Sequence, residues 1–110
     1  MTTEKVLNET SAKIATLNDA HRRGMQGCTV TKGIVAMRDK ANEVFVAVRD
    51  YTDFTEDNDP YGEHDFGSLK VAGEKVFWKI DYYDENLKNW CDPLDPDCQR
   101  VLTIMLAEEY

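Results

Sequence analysis

The chain has 110 residues, of which 42% are hydrophobic and 31% charged, and its formal net charge is −8. This length suits a single domain spanning residues 1–110, and this composition excludes a disordered chain. The apolar runs are too short to span a bilayer, and the N-terminus lacks the basic and then apolar segments of a secretory signal. We therefore expect a cytoplasmic protein with no membrane partner.

The charge is divided unevenly along the chain. Residues 1–49 carry five acids against eight bases, whereas residues 50–110 carry sixteen acids against five bases. Nucleic acid and anionic membranes repel such a second half, and basic proteins attract it. The expected partner is a basic protein surface, with no direct contact to nucleic acid.

The first predicted element is an amphipathic helix over Thr3–Met25, with Thr2 or Thr3 as its N-cap. Its expected buried face follows three- and four-residue spacings: Val6, Leu7, Thr10, Ile14, Leu17 and His21. The β-branched run Cys28–Ala36 then predicts a strand. A second helix is expected over Lys40–Asp50, capped by Asp39. Its predicted buried residues are Ala41, Val44, Phe45 and Val48.

The second half predicts strands over Phe66–Val71 and Lys75–Tyr82, separated from a last strand by a second acidic loop, residues 84–99. In Lys75–Tyr82 the expected buried face is Val76, Trp78, Ile80 and Tyr82. The continuous apolar run Arg100–Ala107 indicates a central strand, with a terminal helix as the alternative. The order α-β-α-β-β-β predicts an α+β fold in which two helices pack on one face of a mostly antiparallel sheet of about four strands.

Residues 50–65 contain seven carboxylates and no lysine or arginine. Tyr51, Phe54, Tyr61 and His64 are interleaved with them. Disordered acidic segments are poor in aromatic residues, so this run predicts an ordered and strongly negative loop.

A calcium site is one interpretation of this loop. The run that begins at Asp57 starts like an EF-hand, but Tyr61 stands at its fifth position and Ser68 at its twelfth, where a glutamate is needed. This excludes an EF-hand. No cofactor is expected, and the alternative is a looser Ca²⁺ or Mg²⁺ site on Asp57, Asp59 and Asp65.

His64, between Glu63 and Asp65, permits a histidine-based hydrolase in which His64 and Asp65 are catalytic. The simpler interpretation is that His64 holds the loop. A zinc site on His64, Cys91 and Cys98 lacks an evident fourth ligand. The three cysteines indicate reduced thiols, and a Cys91–Cys98 pair is not expected.

Three blocks of sequence carry a resemblance to a known family: residues 54–67, 77–84 and 100–110. They resemble an uncharacterised bacterial domain-of-unknown-function family, number 3768, associated with alphaproteobacterial genomes and plasmids. The resemblance covers most of the chain from about Gly33 onward. It implies a compact cytoplasmic domain, often on mobile elements, and no known activity, substrate or cofactor.

The resulting functional hypothesis is a small acidic interaction protein, more a binding protein than an enzyme. Its sharpest form is an inhibitor of antirestriction or anti-CRISPR type that mimics nucleic acid and occupies a basic surface. The predicted contact residues are Asp53, Glu56, Asp57, Asp59, Glu63, Asp84 and Glu85. The alternatives are a metal-dependent or histidine-based hydrolase centred on residues 53–65, and an antitoxin-like partner protein.

Overall fold

A computed structural model of the protein describes the backbone from residue 3 and the side chains of residues 9–110. The longer elements are α1 (Thr3–Gly24), β1 (Cys28–Val30), α2 (Lys32–Val35), α3 (Ala41–Arg49), β2 (Phe66–Val71), β3 (Glu74–Tyr83) and β4 (Gln99–Leu106). Short 3₁₀ turns occupy Arg38–Lys40 and Ala107–Glu109. The expected N-cap, Thr2 or Thr3, and the side chains of Val6 and Leu7 lie outside the described residues.

The strands form one sheet in the order β1-β4-β3-β2. β1 pairs with β4 in parallel, and the other two pairings are antiparallel. The predicted α+β fold with a mostly antiparallel four-stranded sheet is confirmed. β4 is an interior strand, as its continuous apolar sequence indicated, and the terminal-helix alternative is wrong.

The core lies between one face of this sheet and the helices. β3 contributes Val76, Trp78, Ile80 and Tyr82, and β4 contributes Leu102, Ile104 and Leu106. Ile14, Ile34, Val44 and Val48 cover them from the helical side. The predicted alternation in β3 is therefore correct, and both predicted helices lie on the same face. No helix in the described part of the chain is long and apolar enough to cross a membrane.

The predicted buried face of α1 is correct at Ile14, is only half met at His21, and is wrong at Leu17. Leu17 is 44% exposed, whereas Asn18 and Arg22 are fully buried beside Ile14 and Ala15. An apolar periodicity could not find this face because two of its members are polar. Their burial depends on hydrogen-bond partners that other elements provide.

The strand predicted over Cys28–Ala36 is also too long. β1 ends at Val30, and residues 32–35 form the helical turn α2. The Glu109 carboxylate accepts hydrogen bonds from the Thr31 hydroxyl and the Gly33 amide, at 2.5 and 3.0 Å. A Cβ on Gly33 would collide with Glu109 and with Leu106. A contact from the far end of the chain thus fixes this turn.

Asp39 is not the N-cap of the second helix. It lies inside the 3₁₀ turn, and the residue before α3 is Lys40, which makes no side-chain capping bond. The turn runs into α3 with helical backbone angles at both Lys40 and Ala41. The predicted buried residues of α3 are correct: Ala41, Val44 and Val48 are buried, and Phe45 packs against the core.

Candidate functional site

The two acidic loops leave the sheet at the same place. The Asp65 carbonyl accepts a hydrogen bond from the Ile80 amide at 2.8 Å, and the Cys91 amide donates to the Tyr82 carbonyl at 3.3 Å. Residues 80 and 82 point their backbone groups to the same edge of β3, about 7 Å apart along the strand. The two loops therefore meet β3 side by side at this edge, and we call residues 53–65 and 84–97 together the acidic end.

The acidic end contains many more acidic than basic residues. Its first segment contains six acidic residues and no lysine or arginine. Its second segment contains five acidic residues and a single lysine, Lys88. The sequence shows two separate acidic loops, and only the pairing along β3 brings them together.

The predicted contact residues divide into two groups. Asp53, Glu56, Asp57 and Glu85 are exposed. Asp59, Glu63 and Asp84 are partly buried. Asp84 accepts hydrogen bonds from the Lys88 amide and the Asn89 side chain, which hold the pKa of its carboxyl below its ordinary value. The exposed group is available to a partner, whereas the carboxylates of Asp59 and Asp84 form contacts within the loops.

The first loop is ordered by its own short side chains. The Thr55 amide donates to the Asn58 side chain at 2.8 Å, and the Asn58 amide donates to the Thr55 hydroxyl at 3.2 Å. The Asn58 side chain also donates to the Asp53 carbonyl at 2.7 Å. These bonds agree with the prediction of an ordered loop.

His64 fastens this loop to α1. Its Nδ1 lies 3.0 Å from the Asp19 carboxylate, and its Nε2 lies 3.6 Å from Asp59. The Phe54 ring stacks on the imidazole, with centroids 3.8 Å apart and an angle of 2° between the planes. The Asp59 carboxylate also accepts from the His64 amide at 3.3 Å.

The carboxylates that contact the His64 ring are those of Asp19 and Asp59. They are not those of its sequence neighbours, Glu63 and Asp65. Each ring nitrogen faces a carboxylate, while the ring lines an open recess of about 480 Å³. A general base needs a nitrogen directed at the substrate proton. This geometry favours the simpler interpretation, in which His64 holds the loop, over a catalytic pair of His64 and Asp65.

Asn18 joins the two acidic loops through the interior. Its side-chain amide donates to the Glu63 carbonyl at 2.9 Å and to the Tyr82 hydroxyl at 2.8 Å. Its oxygen accepts from Arg100 Nε at 2.7 Å, and Arg100 also donates to the Pro93 carbonyl at 2.7 Å. One buried side chain thus connects the first loop, β3 and, through Arg100, the second loop.

Arg22 binds the backbone just before the first acidic loop from the core side. Its guanidinium is fully buried and donates to the carbonyls of Val48 and Tyr51, at 3.0 and 2.9 Å. These carbonyls stand at and just beyond the C-terminus of α3, where a helix leaves acceptors unpaired and a cation is favourable. Arg22 also pairs with Asp19 at 3.0 Å and lies over the Trp78 ring at 5.0 Å.

Sequence reasoning missed Asn18, Asp19, Arg22 and Arg100. The available signal was a cluster of polar residues on α1 at positions 18, 19 and 22, where spacings of three and four place side chains on one face. Nothing in the sequence separates the buried Arg22 from the exposed Arg23 beside it. Burial of an arginine requires carbonyl partners from outside its own helix.

Burial and neighbouring negative charge raise the pKa values of two partly buried carboxyls of the acidic end, Glu63 and Asp65. Partial burial, and then the neighbouring Asp59 carboxylate, raise the pKa of Asp65. Burial, and then Asp65, raise the pKa of Glu63. Burial likewise raises the pKa of the Tyr82 phenol. This part of the protein holds negative charge at a cost in stability.

The structure does not assemble the alternative metal site. Asp57 is exposed, Asp59 lies against His64, and Asp65 lies beside Tyr82. Within residues 9–110, no three or more His, Cys, Asp or Glu residues are grouped so as to hold a metal ion. This applies to Asp57, Asp59 and Asp65 for Ca²⁺ or Mg²⁺, and to His64, Cys91 and Cys98 for zinc. All three cysteines are free thiols.

Comparison with known proteins identifies a family for this chain. No curated protein and no solved structure matches the chain. The family described as "Protein of unknown function (DUF3768)" matches residues 30–109, which include the whole acidic end. The match runs from Val30, the last residue of β1, to Glu109 at the end of the C-terminal 3₁₀ turn, and it leaves out the whole of α1. The chain therefore belongs to the DUF3768 family.

Proposed function

We propose that this protein is a small acidic interaction protein whose acidic end occupies a basic surface on a partner protein. In its sharpest form it is an inhibitor of antirestriction or anti-CRISPR type, which mimics nucleic acid at the partner's binding site. The observation that carries this proposal is the convergence of both acidic loops on one edge of β3.

The acidic end has the charge and the order that such a mimic needs. Exposed carboxylates on two ordered loops present negative charge in fixed positions, as the phosphates of a duplex do. Complementary charge accelerates association and selects basic partners, and salt weakens the attraction. The bonds of Asn58, Asp84 and Asn18 hold the loops in place before binding, which lowers the entropy cost of association.

The test compares two variants that remove equal charge. The first is D53N/E56Q/D57N/E85Q, which neutralises the exposed carboxylates of the acidic end. The matched control is D39N/E43Q/E74Q/E108Q, which neutralises four exposed carboxylates elsewhere on the protein. Tagged wild type and both variants are used to capture proteins from the native host's lysate at low and high salt, with and without added duplex DNA.

The expected result is capture of a basic, nucleic-acid-binding protein by the wild type and by the control variant. High salt, duplex DNA and the D53N/E56Q/D57N/E85Q substitutions should each abolish this capture. A partner that both variants retain equally in high salt would contradict the proposal and favour the antitoxin-like alternative. The absence of any salt-sensitive partner would direct attention to the hydrolase alternative.

A further inference from the structure

We infer that Trp90 and Leu87 form an apolar anchor within the acidic end, so that the partner's basic surface carries an apolar pocket. This inference rests on the proposed function and specifies the chemistry of its partner. Trp90 is 71% exposed and Leu87 is 57% exposed. Large apolar side chains at this exposure are unfavourable in water, and tryptophan is among the residues that contribute most to protein–protein binding.

The turn that carries these side chains is held rigidly. The Asp84 amide donates to the Asn89 carbonyl at 2.8 Å, and the Leu87 amide donates to the Asp84 carbonyl at 2.9 Å. The Asp84 carboxylate accepts from the Lys88 amide and from the Asn89 side chain, at 3.0 and 3.1 Å. Trp90 then bridges to Tyr83 at the end of β3. The two apolar groups are therefore presented in fixed positions, which favours tight binding.

The conformation of Leu87 gives an independent reason to assign it a role. Its φ is 59°, in the left-handed region where glycine and asparagine are favoured and a leucine is strained. Its side chain reaches solvent instead of the core, so the fold gains little from leucine at this position. An exposed and strained residue of this kind is more readily explained by a contact with another molecule.

The position of Trp90 distinguishes it from the core tryptophan. Directly opposed residues in a sheet share a face, so Trp90 projects from the same face as Tyr83. The alternation of β3 places Tyr83 on the face away from the helices, whereas the fully buried Trp78 faces the core. Trp90 is thus free for intermolecular contact.

The charge around Leu87 and Trp90 favours a basic protein as the binding partner. Glu85 and Asp92 lie close to Leu87 and Trp90 in sequence and are exposed. This charge repels an anionic membrane surface and a second copy of a chain with net charge −8. A protein surface with basic groups around an apolar pocket complements both features.

The test uses two synthetic peptides of equal length and equal lysine content, without tryptophan. One intersperses the lysines with leucine and the other with serine. Wild type is expected to bind the leucine peptide at least about tenfold more tightly than the serine peptide and to shift its Trp90 emission to shorter wavelength. W90A should lose most of this preference, and L87N should lose part of it.

The variants also separate binding from folding. Asparagine accepts the left-handed backbone of residue 87, so L87N should keep or raise the melting temperature. V35N removes an exposed apolar side chain elsewhere, 61% exposed at the end of α2, and should keep the preference. D53N/E56Q/D57N/E85Q should weaken both peptides alike.

Equal wild-type affinity for the two peptides, or an unchanged preference in W90A, would overturn the inference and leave the charge-based function standing. Undiminished binding of both peptides by D53N/E56Q/D57N/E85Q would overturn the basic-partner function and, with it, this inference.

Discussion

Arg22 has no access to solvent, and its guanidinium donates to two carbonyls and to Asp19. We expect Arg22→Ala to lower the free energy of unfolding by about 3–5 kcal/mol, because it removes the side-chain donor of the Tyr51 carbonyl and one partner each of the Val48 carbonyl and Asp19. Urea denaturation of the purified variant measures this change. Arg23→Ala is the control, because Arg23 is exposed. A loss for Arg22→Ala no larger than that for Arg23→Ala would contradict the assigned role.

Asp65 gives the protein a pH dependence of known sign. Its pKa is raised above 3.8 in the folded state by burial and by Asp59. The folded state therefore binds a proton more strongly than the unfolded state, and stability falls as the pH rises from about 3.8 through the folded pKa. Above its folded-state pKa, Asp65 is ionised at a cost to the folded state.

Asp65→Asn should consequently raise the free energy of unfolding at pH 7, and its advantage should shrink as the pH falls below 3.8. Denaturation over a series of pH values tests this sign. Asp57→Asn, at an exposed carboxylate, should change little. A destabilised Asp65→Asn protein at pH 7 would show that the carboxylate's hydrogen bond to Tyr82 outweighs the cost of its burial.

Single residues were predictable where burial follows apolar character. Val76, Trp78 and Ile80 fell on the expected face because strand geometry alternates side chains. Asn18 and Arg22 could not be placed in this way, because a polar side chain is buried only where partners from other elements meet it. The contact between His64 and Asp19 could not be predicted either, because Asp19 lies 45 positions away along the chain.

At the scale of elements, the first acidic loop depends on a clamp between His64 and α1. We expect His64→Asn to lower the free energy of unfolding by about 1–2 kcal/mol, because the stack on Phe54 and the bond to Asp19 are lost. Asparagine tolerates the φ of 56° at this position, so the substitution adds no backbone strain to the measured change in stability. The local consequence should be faster hydrogen exchange of amides in residues 53–63.

Tyr61→Ala is the matched control for this loop, because the Tyr61 ring is 78% exposed. Its exchange rates should remain those of the wild type. Unchanged exchange in His64→Asn would mean that the bonds between Thr55 and Asn58 suffice to order the loop.

The elements themselves were predicted best where one periodicity dominates. β2 matches its expected range, and β3 is one residue longer at each end. The errors fall at β1 and at the start of α3, where the backbone direction changes. Just after β1, Thr31 and Gly33 donate hydrogen bonds to the Glu109 carboxylate. Local propensity carries no information about this distant contact.

For the whole molecule, the placement of charge predicts how ions approach the surface. Trp78 is fully buried and Trp90 is 71% exposed, so ionic quenchers of fluorescence report on Trp90. Caesium should quench this emission more strongly than iodide, each relative to free tryptophan amide, because the acidic end concentrates cations. The difference should narrow at high salt and in D53N/E56Q/D57N/E85Q. Equal quenching by both ions at low salt would show that Trp90 lies outside the negative field.

The sequence by itself determined the fold class, the ranges of β2 and β3, the family and the excess of acid in the second half. The fold class, the strand ranges and the excess of acid follow from local composition and periodicity, whereas the family follows from the resemblance of three sequence blocks. Only the tertiary structure brought the two acidic loops to one edge of β3 and buried Asn18 and Arg22 beneath them. Such proximity is set by strand pairing between distant segments, and hydrogen bonds across the core have no local signature in the chain.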